Sequence, residues 1–170
     1  MITSLIICAV VILLDQISKY LVVQFIPLGS TVKCIDGLFH LTYIQNRGAA
    51  FGMLADHRWV FMVISVAALA AITVYLLREK PESMWQKTAL GMILGGGIGN
   101  MIDRTVNGYV VDFIDVDFMD FAVFNVADAF VTVACAVLIV YLVCEMVKEN
   151  RKEKPAPANA EIPAEKNGEE

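Results

Sequence analysis

The sequence predicts an all-α polytopic membrane protein with four transmembrane helices and a small extracytoplasmic β-element. Of its 170 residues, 58% are apolar and 18% are charged, whereas soluble domains average about 45–50% apolar and 25% charged residues. The apolar residues gather in windows close to the roughly 20 residues that a helix needs to cross the hydrocarbon core of a bilayer. A net charge of −5 gives no basic footprint for phosphate, so we expect no nucleic acid partner.

The windows predict transmembrane spans at residues 6–25, 59–77, 85–102 and 126–147. The first span resembles the apolar region of a signal peptide. However, no Lys or Arg precedes it and the apolar pattern continues to Val23, so we expect it to be retained.

The spans differ in their polar content. The first is interrupted by Asp15 and Lys19, the second carries no charge, and the third is rich in glycine. Gly91, Gly95 and Gly99 recur every four residues, a pattern that predicts close packing against a neighbouring helix. The fourth span carries Asp128 near its start and Glu145 near its end.

Basic residues near the span ends predict the orientation, because cytoplasmic loops carry an excess of Lys and Arg. These residues lie between spans two and three and after span four: Arg78, Lys80, Lys87, Lys148, Arg151, Lys152 and Lys154. We therefore expect both termini in the cytoplasm, and residues 26–58 and 103–125 outside. The basic start of the last segment suits contact with anionic membrane lipids.

The outer loops predict the β-element. Residues 31–35 and 38–44 are β-prone and flank Asp36-Gly37, a dipeptide that suits a type I′ hairpin turn. Residues 114–118 alternate apolar and acidic side chains, as a half-exposed strand does. Residues 1–147 thus form the membrane domain, whereas residues 148–170 hold three of the five prolines with five basic and six acidic residues. That composition predicts a disordered cytoplasmic tail.

Polar residues gather at the predicted outer ends of spans one, three and four. A charge near the middle of a span costs about 2.5–3.5 kcal/mol on insertion scales, so such residues tend to mark function. The members of this layer are Asp15, Lys19, Asn100, Asp103, Arg104, Asn125 and Asp128. Each has a structural alternative: a self-neutralising i,i+4 pair for Asp15 and Lys19, an N-cap for Asn125, and snorkelling for Arg104. The whole layer together predicts a polar site at the lipid boundary.

Five short sequence blocks follow one another along the chain: Asp15-Gln-Ile-Ser-Lys19, Asn46-Arg-Gly-Ala-Ala-Phe51, Gly99-Asn-Met-Ile-Asp-Arg104, Val110-Val-Asp-Phe-Ile114 and Phe124-Asn-Val-Ala-Asp128. They resemble the successive signatures of the lipoprotein signal peptidases, the type II signal peptidases of bacteria. The resemblance covers roughly residues 5–147. Each block alone is weak evidence, whereas the five in this order are specific.

The resemblance implies an aspartic endopeptidase of the bacterial cytoplasmic membrane, without metal or cofactor. Its substrates are prolipoproteins, cut just before a diacylglyceryl-modified cysteine. It further implies that Asp112 and Asp128 are the catalytic pair. The residues expected to line or support the substrate site are Asn46, Gly48, Asn100, Arg104 and Asn125, with Asp15 and Lys19 as support or substrate contacts.

Three further carboxylates, Asp115, Asp117 and Asp120, lie between the two implied catalytic positions. They fall outside the signature blocks, and alternation favours solvated strand positions for the first two. Two other classes of function stay open. A proton-coupled transporter would use the intramembrane charges as a relay, although the sequence shows no internal repeat. A structural membrane subunit would need only the glycines and the apolar faces.

Overall fold

The computed structural model describes residues 1–48 and 58–153, in which four helices and three strands form. The elements, in chain order, are α1 (Ile2–Phe25), β1 (Thr31–Ile35), β2 (Phe39–Asn46), α2 (Arg58–Arg78), α3 (Met84–Val106), β3 (Val110–Val116) and α4 (Val126–Glu153). Residues 49–57, which include the end of the second signature block, and residues 154–170 lie outside the described part of the chain.

Each predicted span coincides with one of the four helices. Two of them, α1 and α4, are long and apolar enough to span a membrane. Their outward faces expose large apolar side chains such as Leu13 and Ile17 on α1 and Ile139 and Val140 on α4. Water would not stabilise such surfaces, whereas lipid does.

α4 continues beyond the predicted end of span four. Residues 148–153, which we assigned to the disordered tail, are helical. Lys, Glu and Arg are good helix formers, and the first proline after the span is Pro155. The charged composition of this segment therefore extends the helix before any proline can end it.

α3 is the central helix, and its glycines allow close approach on several sides. A Cβ built on Gly95 would lie 2.7 Å from the Val11 Cβ of α1, and one on Gly96 would lie 2.6 Å from the Ala127 carbonyl oxygen of α4. Gly91 likewise meets the backbone of Ser4. The predicted packing role of the glycines is therefore confirmed, and it extends to Gly96.

The three strands form one antiparallel sheet in the order β1-β2-β3. The predicted hairpin is present, and Gly37 in its turn has a φ of 76°. The expected type I′ turn is wrong, because it needs two left-handed residues and Asp36 is not one of them. A register shift between Lys33 and Ile35 accompanies this turn.

β3 begins earlier than the alternating pattern predicted, at Val110 instead of 114. Its first four residues are all buried, and only the second half of the strand is partly exposed. Val111 and Phe113 pack with Val22, Ile26 and Tyr43 in a cluster between the sheet and the end of α1. Because both faces are covered there, apolar and polar residues do not alternate in this half of the strand.

Candidate active site

The polar site lies where α1 and α3 end, α4 begins and β3 crosses. Gly108 has a φ of 79°, which lets the chain turn sharply from α3 into β3. The Asp103 carboxylate then accepts a hydrogen bond from the Val111 N–H at 3.1 Å. Asp112, the next residue of the strand, is thereby held close to the end of α3.

The segment between β3 and α4 brings the chain back beside β3, next to Asp112. Phe124 pairs with Ile114: the Phe124 N–H donates to the Ile114 carbonyl at 3.0 Å, and the Ile114 N–H donates back at 2.7 Å. This bridge puts Asn125 and the first turn of α4 beside Asp112.

Asn125 is the junction between the two implied catalytic aspartates. Its Nδ2 donates to Asp112 Oδ1 at 2.6 Å. Its Oδ1 accepts from the Asp128 N–H at 3.0 Å, and its own N–H donates to Asp128 Oδ2 at 3.3 Å. These last two bonds are the reciprocal pattern of a capping box. The N-cap alternative is therefore correct, and the same cap joins both carboxylates.

Two more side-chain amides donate to the carboxylates. Asn46 Nδ2 donates to Asp112 Oδ2 at 2.9 Å, and its Oδ1 is held by the Gly48 N–H at 2.9 Å. Asn100 Nδ2 donates to Asp128 Oδ1 at 2.8 Å. Each of the two carboxylates thus accepts hydrogen bonds on both oxygens, from groups on β2, α3 and α4.

Behind these contacts lies a buried ionic cluster. Lys19 Nζ lies 2.8 Å from Asp15 Oδ2 and 3.0 Å from Asp103 Oδ2. Asp15 Oδ1 also accepts from the Ala127 N–H at 3.0 Å, which satisfies a free donor in the first turn of α4. The predicted i,i+4 pair is confirmed, and it supports α4 as well as α1.

The site opens into a cavity of about 490 Å³. Both Asp112 and Asp128 line it, together with Asn46, Asn100 and Arg104. The remaining walls are mostly apolar and come from β3, the returning segment and α4: Val110, Phe121, Ala122, Val123, Phe124, Ala129, Thr132 and Val133. The cavity therefore combines two carboxylates with an apolar wall along α4.

Asp112 is the carboxylate of the pair that lies outside the helices, and it is 1% exposed. The pKa of Asp112 is raised from 3.8 to about 6. Burial is the largest cause and the charge of Asp128 adds to it, whereas the hydrogen bonds from Asn46 and Asn125 and the charge of Lys19 oppose the rise. Burial penalises the ionised form of a carboxyl group. Asp112 can therefore take up a proton close to neutral pH, as acid–base chemistry requires.

The sequence-predicted residues fall into two sets. Those on the cavity wall are Asn46, Asn100, Arg104, Asp112 and Asp128, with Asn125 bonded directly to them. Asp15 and Lys19 are buried behind the cavity, and Gly48 acts through Asn46.

The three extra carboxylates lie away from the cavity wall. Asp115 accepts from the Thr42 hydroxyl at 2.7 Å, and Asp117 accepts from the Gly37 N–H at 2.9 Å. Asp120 is exposed. The first two therefore stabilise the sheet, which refines their interpretation as solvated strand residues.

One residue of the network was missed. Gln16 Nε2 lies within hydrogen-bond distance of Asp15 Oδ2, Asp103 Oδ1 and the Gly99 carbonyl, at 3.1–3.2 Å. Gln16 belongs to the first signature block and follows Asp15 directly, which is the signal that could have found it. Asp103 was predicted as a member of the polar layer without a specific role, and the structure shows that it pairs with Lys19 and accepts a hydrogen bond from the Val111 N–H.

A buried and a half-buried carboxylate joined by one amide, at one end of a bundle with apolar outer faces, define a membrane-bound enzyme of the aspartic hydrolase class. Comparison with known proteins identifies the family. The profile described as signal peptidase (SPase) II matches residues 7–144. The lipoprotein signal peptidase of Streptococcus thermophilus (strain CNRZ 1066) is 46% identical over 129 residues, which are 76% of this chain and 84% of that protein.

A second relative and two solved structures agree with this match. The lipoprotein signal peptidase of Streptococcus pyogenes serotype M2 is also 46% identical over 129 residues, covering 76% of this chain and 85% of that protein. A bacterial membrane enzyme solved by the in meso method at 2.3 Å is 31% identical, with a TM-score of 0.82 over 91% of this chain and 94% of that one. Another, at 1.9 Å, gives 31% identity and a TM-score of 0.76 over 82% and 92%.

The chain belongs to the signal peptidase II family, aspartic peptidases that remove signal peptides from prolipoproteins. The function and the enzyme class implied by the signature blocks are confirmed, as is a membrane location. The transporter and the structural subunit are therefore set aside.

Proposed function

We propose that Asp112 and Asp128 are the catalytic pair of this peptidase. The observation that carries the proposal is that both line one cavity and are joined through Asn125. Two close carboxylates resist simultaneous ionisation, so the pair retains one proton. It then offers a base and an acid at once, which is what peptide hydrolysis without a metal needs.

The reaction begins when the ionised carboxylate takes a proton from water as the water oxygen bonds to the scissile carbonyl carbon. The protonated carboxyl group donates its proton to the carbonyl oxygen. The tetrahedral intermediate then collapses: the C–N bond breaks, the protonated carboxyl group of the pair donates its proton to the departing nitrogen, and a hydroxyl of the intermediate returns a proton to the other carboxylate. The pair again holds one proton, and the products are the new carboxyl end of the signal peptide and the amine of the mature lipoprotein.

The neighbouring polar groups orient the pair and the substrate backbone. Asn46, Asn100 and Asn125 hold the carboxylates by hydrogen bonds of 2.6–2.9 Å. Arg104 brings a positive charge to the cavity wall, where it balances the carboxylates and can polarise a peptide carbonyl. Such contacts are stronger at a buried carboxylate such as Asp112 than they would be in bulk water.

The substrate is a prolipoprotein cleaved just before its diacylglyceryl-modified cysteine. Lipid and signal peptide both lie in the bilayer, so a site at the membrane boundary meets them by lateral diffusion. Thr132 and Val133 extend the cavity along the α4 surface, which gives an apolar substrate an approach from the lipid side. We therefore expect the enzyme to contact membrane lipids in addition to its prolipoprotein substrate.

All four helices cross the bacterial cytoplasmic membrane, with both termini in the cytoplasm and the active site at the outer face. The lengths of α1 and α4, the apolar helix from Met62 to Arg78, and the basic residues around Arg78 and Lys148 support this topology. The ends of α1 and α3 and the starts of α2 and α4 then share the outer side with the sheet.

Cleavage of a lipidated prolipoprotein peptide by Asp112→Asn and Asp128→Asn tests the catalytic assignment. Each variant should accumulate in the membrane and lose at least about 10⁴-fold in kcat, the scale seen when members of a catalytic unit are removed. Asp120→Asn is the matched control, because it removes an exposed carboxylate outside the cavity. Near-normal cleavage by either of the first two variants would refute the assignment.

The native cysteines test the topology. Cys34 is exposed on β1, whereas Cys8 is buried in α1. A membrane-impermeant maleimide added to intact protoplasts should label the protein through Cys34, and Cys34→Ser should abolish that label. Labelling of Cys34 only after the membrane is opened would reverse the proposed orientation.

A further inference from the structure

The Lys19 ammonium group reaches three oxygens. Besides Asp15 Oδ2 at 2.8 Å and Asp103 Oδ2 at 3.0 Å, it donates to Asn100 Oδ1 at 2.8 Å. An ammonium has three N–H donors and no acceptor, so every donor is used. Two of the partners are carboxylates that balance its charge, whereas the third is a neutral amide on the wall of the active-site cavity.

The contact with Lys19 decides which way the Asn100 amide faces. A side-chain amide has two orientations that exchange its oxygen and its NH₂ group. Lys19 is a donor only, so Asn100 must present its oxygen to Lys19 and its NH₂ to Asp128 Oδ1, 2.8 Å away. Asn125 Nδ2 donates to the same oxygen at 3.1 Å. The bond from the charged ammonium is shorter and is the stronger of the two.

A reversed Asn100 amide would disrupt both ends of this chain of contacts. Its NH₂ group would face the ammonium, and its oxygen would face the Asp128 carboxylate. Asp128 would then lose a donor and gain a repulsive neighbour. A buried polar group without a partner is costly, so the observed orientation is strongly favoured while Lys19 is present.

We propose that Lys19 is a positioning residue of the peptidase, which fixes the orientation of the Asn100 amide so that Asp128 keeps its hydrogen-bond donor. This inference rests on the proposed catalytic role of Asp128. Lys19 does not line the cavity, so it acts on the reaction through Asn100.

Lys19 also neutralises charge, and the test must separate that role from positioning. The trio of Asp15, Asp103 and Lys19 carries a formal charge of −1 − 1 + 1 = −1. The double variants Lys19→Met/Asp103→Asn and Lys19→Gln/Asp103→Asn both keep this sum at −1, so wild type is their charge-matched reference. The other charged groups around the network are Arg104 on α3, Asp112 on β3 and Asp128 on α4.

We expect the methionine variant to lose about 10- to 100-fold in kcat relative to wild type, the range typical of outer-shell partners, with little change in KM. Lys19→Gln in the same Asp103→Asn background should recover part of the loss, because its amide can donate to Asn100 Oδ1. If the methionine variant matched wild type in kcat, charge alone would explain Lys19 and the proposal would be overturned. Equal kcat values for the methionine and glutamine variants would also overturn it.

A double-mutant cycle with Asn100→Ala gives the second readout. If Lys19 acts through Asn100, the variant Lys19→Met/Asn100→Ala should have the same kcat as Asn100→Ala alone. Additive losses would contradict the proposal. Cleavage by Asp128→Asn separates the two levels of failure: an active Asp128→Asn enzyme refutes the catalytic pair, whereas an inactive one with an additive cycle refutes only the role of Lys19.

Discussion

Asp112→Asn should change how the stability of this peptidase depends on pH. Burial raises the pKa of Asp112 from 3.8 to about 6. A raised pKa means that its stabilising contribution is complete below about pH 4 and is lost as the pH rises through 6. The shift of about two units corresponds to about 3 kcal/mol at 1.36 kcal/mol per unit.

The asparagine variant cannot ionise at this position, so it escapes that loss. It does lose one hydrogen bond, because its NH₂ group meets the NH₂ group of either Asn46 or Asn125. That cost of about 1–3 kcal/mol is independent of pH. The difference in unfolding free energy between variant and wild type should therefore move by about 3 kcal/mol in favour of the variant between pH 4 and pH 8.

Unfolding in mixed micelles, followed at several pH values for both proteins, measures this difference. Asp120→Asn is the control, since its carboxylate is exposed, and its difference from wild type should vary less. A difference for Asp112→Asn that stays flat with pH, or that moves toward the wild type at high pH, would refute the proposed effect of burial on Asp112.

Two further results are expected. Gly99→Ala places a Cβ 2.5 Å from Asp15 Oδ2, so thermal unfolding should show a loss of about 1–3 kcal/mol and cleavage should slow. Gly97→Ala, which meets only the flexible end of Leu69, should cost less; equal losses would contradict the contact. The pH profile of kcat/KM should bend near pH 6, where Asp112 titrates. Asn46→Ala removes a hydrogen bond that lowers the pKa of Asp112, so the bend should move to higher pH, and an unmoved or lowered bend would count against that bond.

Much of the fold could be predicted because a bilayer restricts the structures that an apolar segment can adopt. An apolar run of about 20 residues has few alternatives to a membrane helix, and each predicted span coincides with a helix. The end of α4 was placed too early because it lies beyond the apolar part of the helix. Charge and nearby prolines indicated disorder, although residues 148–153 are good helix formers and precede Pro155.

The strand that carries Asp112 was placed too late because burial on both faces removes alternation. Val110–Phe113 are all buried, so only the half-exposed end of β3 showed a period of two. The residues of the polar layer could be predicted because charged and polar side chains are energetically costly in a membrane span. The hydrogen bonds between them could not be predicted from the sequence. That Asn125 joins Asp112 to Asp128, and that Asn100 joins Lys19 to Asp128, depends on how α1, α3, β3 and α4 pack.

The central claim is that Asp112 and Asp128 act as one catalytic unit. Single-turnover cleavage of a lipidated prolipoprotein peptide by Asp112→Asn, Asp128→Asn and the double variant tests it most directly. Members of one unit are strongly non-additive, so the double variant should cleave no more slowly than the slower single variant, with each at least about 10⁴-fold below wild type. Losses that multiply in the double variant, or a single variant with near wild-type turnover, would contradict the claim.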